Sequence, residues 1–434
     1  MAGGYVVSRL TGRATFDLYV RHLPPTRKFL IAAGLEQALE YLEGLRFTAD
    51  DIRFLRTVPA LEALPREFFD GYLAHFRFTG DVWAFEEGTP AFAGEPMLRV
   101  TAPLPEAQIV ETALIAQTMF QTSVASRAAR VVAAAAGRGV MEFGARRAHG
   151  IEAGIHAARA AYLAGFDSTS IVEAGRRFGV PLSGTMGHSW VMAFADEMTA
   201  FRTYVERFGE GAVLLLDTYD TIAAARKVAA SGMRPRGVRL DSGDVIVLST
   251  QVRQILDAAG LRDTRIVVSG DLDEWRVAEI VASGAPVDGF GVGTAVSTSS
   301  DAPALSGVYK LAEIEREARF IPVMKRSTGK ETYPGRKQVW RVVRDGIAVE
   351  DVIGLADEVA PGDGRPLLSQ VMAEGVRRAA PSLDESRGRR AGQVAMLPPS
   401  IRRLSDVAAY PVRLSEALQR ARAGGPDEPR PTES

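Results

Sequence analysis

The sequence predicts an α/β protein built around a barrel or part-barrel of parallel strands, and three observations carry that prediction. Short apolar runs recur through the middle of the chain, at VLLLDTYD (213–220), RGVRLDSGD (236–244), RIVVSGDLDE (265–274) and VDGFGVGT (287–294). Asp217, Asp241, Gly270 and Gly291 close these runs at steps of 24, 29 and 21 residues, room for one strand, one helix and two loops. Helix-forming stretches fill the gaps, as in TIAAARKVAA (221–230) and STQVRQILDAAG (249–260).

Two earlier units of the same kind are GVMEFGARRAHG (139–150) and GVPLSGTMGHSW (179–190), which makes six. Ahead of them, the first 115 residues read as an α/β lobe. LIAAGLEQALEYLE (30–43) has apolar residues at helical spacing, and FRFTGDVWAF (76–85) alternates like a strand. Residues 105–136 are Ala-rich and predict one long helix or two, leading into a barrel over 116–310. VYKLAEI, RFIPVMKRS and KQVWRVVRDGIAVED then predict strands and hairpins over 311–378 that rejoin the N-terminal lobe. Residues 379–393 read as a loop within a partly flexible extension, 379–434, whose end, GGPDEPRPTES, is expected to be disordered.

Composition narrows the function. The 434 residues exceed one ordinary domain. Lys plus Arg number 52 against 53 Asp plus Glu, so no charge excess points to nucleic acid or a membrane surface. With no cysteine there are no disulfides or thiolate metal sites, and any metal must take oxygen or imidazole ligands. The opening residues lack the apolar core of a secretory leader, and no run approaches the ~18 apolar residues of a membrane span. A cytoplasmic enzyme is the expectation.

Polar residues gather just past the ends of the strands, the edge where α/β barrels and open sheets bind ligands. His188, one of five histidines, lies in GTMGHSW. It can serve as acid, base or nucleophile, or simply cap a turn. Arg146 and Arg147 in EFGARRAHG offer planar forks for a carboxylate or phosphate, or a surface ion pair. Asp217 and Asp241 occupy corresponding strand ends and suit Mg²⁺ that also holds substrate phosphates, whereas Asp220 and Asp244 read as helix caps. SGD (269–271) and GVGT (291–294) let backbone N–H groups approach phosphate oxygens on neighbouring strands. Together these describe a site for a phosphorylated, Mg²⁺-bound, anionic ligand set, without naming the reaction.

The ordered set FDLYVRHLPPTRKFLIAAGLEQAL, EFGARRAHG, GFDSTS, GTMGHSWVMAF, VRLDSGD, VVSGDLDE, FGVGTAVSTSSDAPALSGVYKL and PGRKQVWR resembles the nicotinate phosphoribosyltransferase family from about residue 16 to 341. That resemblance implies the type II phosphoribosyltransferase fold: an irregular α/β barrel of parallel strands, with an N-terminal α/β lobe joined by the C-terminal strands. It implies an ATP-dependent enzyme of glycosyltransferase or ligase type in NAD salvage, joining nicotinate to phosphoribosyl pyrophosphate (PRPP). Quinolinate and nicotinamide transferases of the same fold, or a non-catalytic PRPP or nucleotide sensor, are the alternatives. The resemblance also implies a homodimer with a shared active site, and Tyr19 beside the pyridine ring. Arg146 would face the nicotinate carboxylate or PRPP, and His188 would become a phosphohistidine at the expense of ATP, flanked by Thr185 and Ser189. Arg239, Asp241 and Ser242 would meet ribose and pyrophosphate, with Mg²⁺ at Asp217 and Asp241. Gly270, Asp271, Gly293 and Thr294 would hold the 5′-phosphate.

Overall fold

The structure, a computed structural model, describes residues 1–379, 381–405 and 408–424. The expectation for the end of the chain therefore falls, from residue 425 on, outside the described residues. The chain divides into two compact units, residues 123–303 and the combination of 1–122 with 304–434.

The 123–303 unit holds six parallel strands: Gly139–Glu142, Ser168–Thr169, Val213–Leu215, Gly237–Leu240, Arg265–Val268 and Gly289–Val292. Their spatial order starts at Ser168–Thr169 and passes through Gly139–Glu142, Gly289–Val292, Arg265–Val268 and Gly237–Leu240 to Val213–Leu215. This is the cyclic order of a barrel with one seam left unpaired, between Ser168–Thr169 and Val213–Leu215. Parallel strands covered on both faces are mostly apolar. Leu214, Leu215, Val238, Leu240 and Ile266 accordingly pack with Ala224, Val228, Val252 and Leu256 of the following helices.

Five of the six expected strands form. The exception is the 179–190 unit, where Leu182 makes a single parallel bridge to Thr169. The strand next to the seam is instead Ser168–Thr169, too short for a periodicity reading to find. Asp220 and Asp244 cap helices Thr221–Ala230 and Val245–Ala258, as expected.

In the other unit, strand Arg13–Val20 pairs antiparallel with both Leu98–Pro103 and Gly307–Arg316, so the C-terminal strands share the N-terminal sheet. Phe16 stacks on Tyr309 at 4.7 Å across that pairing. Strands Lys337–Arg344 and Ile347–Leu355 form the expected hairpin in a separate four-stranded sheet.

Three local expectations are corrected here. Helix Leu35–Gly44 starts five residues late, because Gly34 adopts a left-handed φ of 88° and Leu30–Ile31 pairs as a strand with Pro90–Ala91. A side chain at Gly34 would meet the Gln117 carbonyl oxygen at 2.4 Å, so the break is enforced. The 76–85 strand shortens to Asp81–Phe85 after Gly80, which lies against Ala102. Residues 379–393 are no loop: helix Leu383–Met396 forms behind a capping box in which Ser382 and Glu385 exchange hydrogen bonds.

Candidate active site

The carboxyl ends of the parallel strands open into one cavity of about 620 Å³. Arg146, Thr185, His188, Ser189, Arg239, Asp241, Gly270, Asp271, Gly293 and Thr294 all line it. Phe143, Arg147, Ser170 and Ser269 line it as well.

Each side chain is aimed by its own strand. Arg239 is the third residue of Gly237–Leu240, and its Nη1 donates to the Thr185 hydroxyl. Burial pulls its pKa down, Asp241 and Asp217 oppose that shift, and the charge of Arg146 adds to it. Two cations thus face the same space, an arrangement that favours an anion between them. Asp241 accepts from the Ser269 hydroxyl through Oδ1 and presents Oδ2 at 3.7 Å from His188 Nε2. Nδ1 of His188 lies 3.2 Å from the Thr218 hydroxyl, and the ring is partly exposed to the cavity. Gly187 precedes it as the N-cap of helix His188–Met192, and Trp190 behind it anchors the segment by donating to the Ala200 carbonyl at 3.2 Å.

Gly270 is the tightest point. Its φ is 90°, and an added Cβ would sit 2.1 Å from the Asp241 carbonyl oxygen. Only glycine lets the 269–271 turn lie against the end of the neighbouring strand. Gly291 and Gly293 likewise lie against Phe143.

Asp217 and Ser242 are not among the residues that line the cavity, and Ser242 is exposed. Asp217 Oδ2 accepts the Asp241 N–H at 3.3 Å and the Ser242 hydroxyl, bracing the turn that carries Asp241. Its other oxygen, Oδ1, is buried without a hydrogen-bond partner. Among the described residues no group of three or more His, Asp or Glu is placed to hold a metal unaided. Asp241 and the partnerless oxygen of Asp217 are the hard oxygen donors that would hold a Mg²⁺ here. Tyr19 belongs to the other unit, half-buried on strand Arg13–Val20, where burial raises its pKa.

Sequence reasoning missed Glu142. Its carboxylate is buried, accepting from the Gly144 N–H and from the Thr169 hydroxyl at 2.6 Å, and burial raises its pKa against those two bonds. The Ser297 hydroxyl donates to the Gly144 carbonyl at 3.2 Å, so the turn leading to Arg146 is gripped on both sides. The only sequence signal for Glu142 was a charge at the end of an otherwise apolar run.

Strand-end arginines, a histidine facing a carboxylate, and glycine turns that expose backbone N–H groups define an α/β-barrel enzyme for a phosphorylated, anionic substrate. Comparison with known proteins narrows that class. Family models match in three consecutive pieces: the nicotinate phosphoribosyltransferase N-terminal domain over residues 1–118, the nicotinate phosphoribosyltransferase family over 139–351, and the C-terminal domain over 358–422. A nicotinate phosphoribosyltransferase of Mycobacterium tuberculosis is 45% identical over 427 residues, covering 96% of this chain and 90% of the relative. The human nicotinate phosphoribosyltransferase is 31% identical over 509 residues, covering 96% and 93%. The crystal structure of the human enzyme superposes with a TM-score of 0.85 at 30% identity, over 98% of both chains. A nicotinate-nucleotide pyrophosphorylase from Pyrococcus furiosus superposes with a TM-score of 0.74 at 26% identity, over 91% and 92%. The chain belongs to the nicotinate phosphoribosyltransferase family.

Proposed function

We propose that this chain joins nicotinate to PRPP, giving nicotinate mononucleotide and pyrophosphate in NAD salvage. The observation that carries this reading is the convergence of Arg146, Arg239, Asp241 and the two glycine turns on one cavity. The ring nitrogen of nicotinate attacks C1 of the ribose as the C1–O bond to pyrophosphate breaks, and the bonding pair leaves with pyrophosphate. The pyridine nitrogen carries no proton at neutral pH, so no general base is required. The protein's task is to hold two anions in line and to neutralise the leaving group. Arg146 orients nicotinate through its carboxylate. Arg239 and Asp241 face the ribose and pyrophosphate, and the 270–271 and 293–294 turns receive the 5′-phosphate. Asp241 and Asp217 would hold a Mg²⁺, which would supply charge neutralisation on the leaving pyrophosphate.

His188 is the acceptor of the ATP γ-phosphoryl group: an imidazole nitrogen displaces ADP, and the new charge tightens the PRPP site. Its partial exposure beside Asp241 supports this role. His188→Ala should abolish ATP hydrolysis and ATP stimulation while leaving slow, ATP-independent transfer. Full ATP stimulation in that variant would reject the role.

A homodimer with a shared site fits the rim of the cavity. Ile151, Val172, Val247 and Trp275 are exposed in the first turns of four barrel helices, and Tyr219 is exposed just before a fifth. A ring of large apolar side chains around a polar mouth suits cover by protein rather than water. Sedimentation should give twice the 46.7 kDa chain mass, and a monomer at working concentration removes the shared-site reading. Among the described residues no helix is long and apolar enough to cross a membrane.

The deciding assay is pyrophosphate release from PRPP and Mg²⁺ with nicotinate, quinolinate or nicotinamide, with and without ATP. Nicotinate should turn over best. Turnover confined to another pyridine selects a sister activity, and PRPP binding without pyrophosphate release selects a sensor.

A further inference from the structure

Behind the two glycine turns lies a buried ion cluster that the transfer reaction does not use directly. Glu274, the first residue of helix Glu274–Ala282, has no solvent exposure. Its Oε2 meets Arg127 Nε at 2.6 Å, and its Oε1 meets Arg130 Nε at 3.0 Å. Both arginines project from helix Glu111–Ala134, and both are almost fully buried. The Arg127 fork extends further: Nη1 reaches Asp301 Oδ1 at 2.5 Å, and Nη2 lies 3.7 Å from Asp273 Oδ2. Asp273 is itself the cap of helix Glu274–Ala282, accepting from the Trp275 and Arg276 N–H groups.

One guanidinium therefore links two segments. The first follows the 269–271 turn directly, and the second is the stretch that leaves the 291–294 turn through helix Thr294–Ser297. Burying several charges is a poor way to gain stability, since apolar side chains of similar size do as well or better. A rigid planar fork does something that apolar packing does not: it fixes the distance between the groups it binds.

We propose that Arg127, held by Glu274, is a positioning residue that sets the spacing of the two phosphate-binding turns, and so the affinity for the phosphoribosyl substrate. This deepens the transferase reading and rests on it. A phosphate group bound between two turns loses contacts on one side as soon as the turns separate, whereas Arg146, which orients nicotinate, is tied to the 291–294 side alone through Ser297 and Gly144, so nicotinate feels that spacing less.

The test compares Arg127→Gln, Arg127→Lys and Asp301→Asn with the wild type. It measures KM for PRPP, KM for nicotinate, kcat, thermal midpoint, and the affinity for ribose 5-phosphate by calorimetry. Arg127→Gln should raise KM for PRPP and weaken ribose 5-phosphate binding at least tenfold, with KM for nicotinate and kcat both within threefold. Arg127→Lys, which can keep only one link at a time, should fall between. Asp301→Asn leaves the Glu274 pair intact, so it keeps the test readable if Arg127→Gln does not fold, and should raise KM for PRPP about fivefold without lowering the thermal midpoint. A folded Arg127→Gln or Asp301→Asn protein with wild-type affinity for PRPP and ribose 5-phosphate overturns the proposal. So does a variant that loses thermal stability and active fraction alone. If the wild type releases no pyrophosphate with any pyridine while ribose 5-phosphate binding still follows Arg127, the transferase reading fails and the spacing role stands.

Discussion

Gly270→Ala is expected to lower kcat/KM at least about 10³-fold, because one methyl group there acts on two parts of the site at once. The backbone at Gly270 has a φ of 90°, which disfavours any L side chain. The new Cβ would have to move away from the Asp241 carbonyl oxygen, 2.1 Å off, and that oxygen belongs to the turn carrying the carboxylate that faces His188. Relief must displace either the 269–271 turn or the end of strand Gly237–Leu240. A shift of roughly 1 Å in a positioning group costs on the order of 10²-fold in rate, and loss of a charge-stabilising contact costs about as much again. Steady-state pyrophosphate release measures the effect, with calorimetric melting to show that the variant is folded. Gly260→Ala is the matched control, since Gly260 shares a left-handed φ of 74°, a Cβ there meets nothing within 4 Å, and it does not line the cavity. Equal activity in the two variants would mean that the close approach at Gly270 does not matter.

The second large effect concerns stability. Arg341→Leu should destabilise the protein by about 3–5 kcal/mol, a large share of an ordinary domain's margin. Arg341 and Asp351 are both buried and paired in two places, Nε to Oδ1 at 3.0 Å and Nη2 to Oδ2 at 2.6 Å. Arg341 also donates to the Pro90 carbonyl at 2.8 Å, joining the hairpin to the Leu30–Ile31 and Pro90–Ala91 pairing. Glu95 lies close by with no exposure; burial first and the Asp351 charge second hold its carboxyl protonated well above the usual carboxylate range, while Arg341 opposes that shift. Leucine leaves Asp351 without its bidentate donor. Arg341→Leu combined with Asp351→Leu should recover most of the loss, because the penalty comes from the orphaned charge. Urea midpoints for the single and double variants decide this, and a single variant as stable as the wild type refutes it.

Much of the barrel was legible because its signal is local. An apolar run such as Val213–Leu215 followed by a polar turn and a capped helix needs no distant information, and Asp220 and Asp244 could be recognised as caps from position alone. Ser168–Thr169 was invisible because two residues have no period. Leu30–Ile31 reads as helix in the sequence because its apolar residues continue the spacing of the true helix, and only the conformation of Gly34 separates them. The helix from Leu383 to Met396 was legible in principle: its Ser382-x-x-Glu385 box stood in plain view, outweighed by the arginines and glycines that follow. At the site, strand-end residues were found from their place in the rhythm. Glu142, Thr218 and the Arg127 cluster were not, because their roles depend on partners far away in sequence.

The seam in the parallel sheet bears on how the chain around His188 is held. A stave in a closed ring is tied to neighbours on both edges, and moving it means tearing a ladder of main-chain bonds. His188 lies in the stretch of chain that crosses the unpaired gap, downstream of the single Leu182 bridge and upstream of Val213–Leu215. Beyond the Leu182 bridge that stretch is held by side chains, with Met186, Val191 and Phe201 buried in one cluster with Leu214 and Leu215. The architecture thus hangs His188 between two staves on apolar packing and the Trp190 anchor instead of on a main-chain ladder.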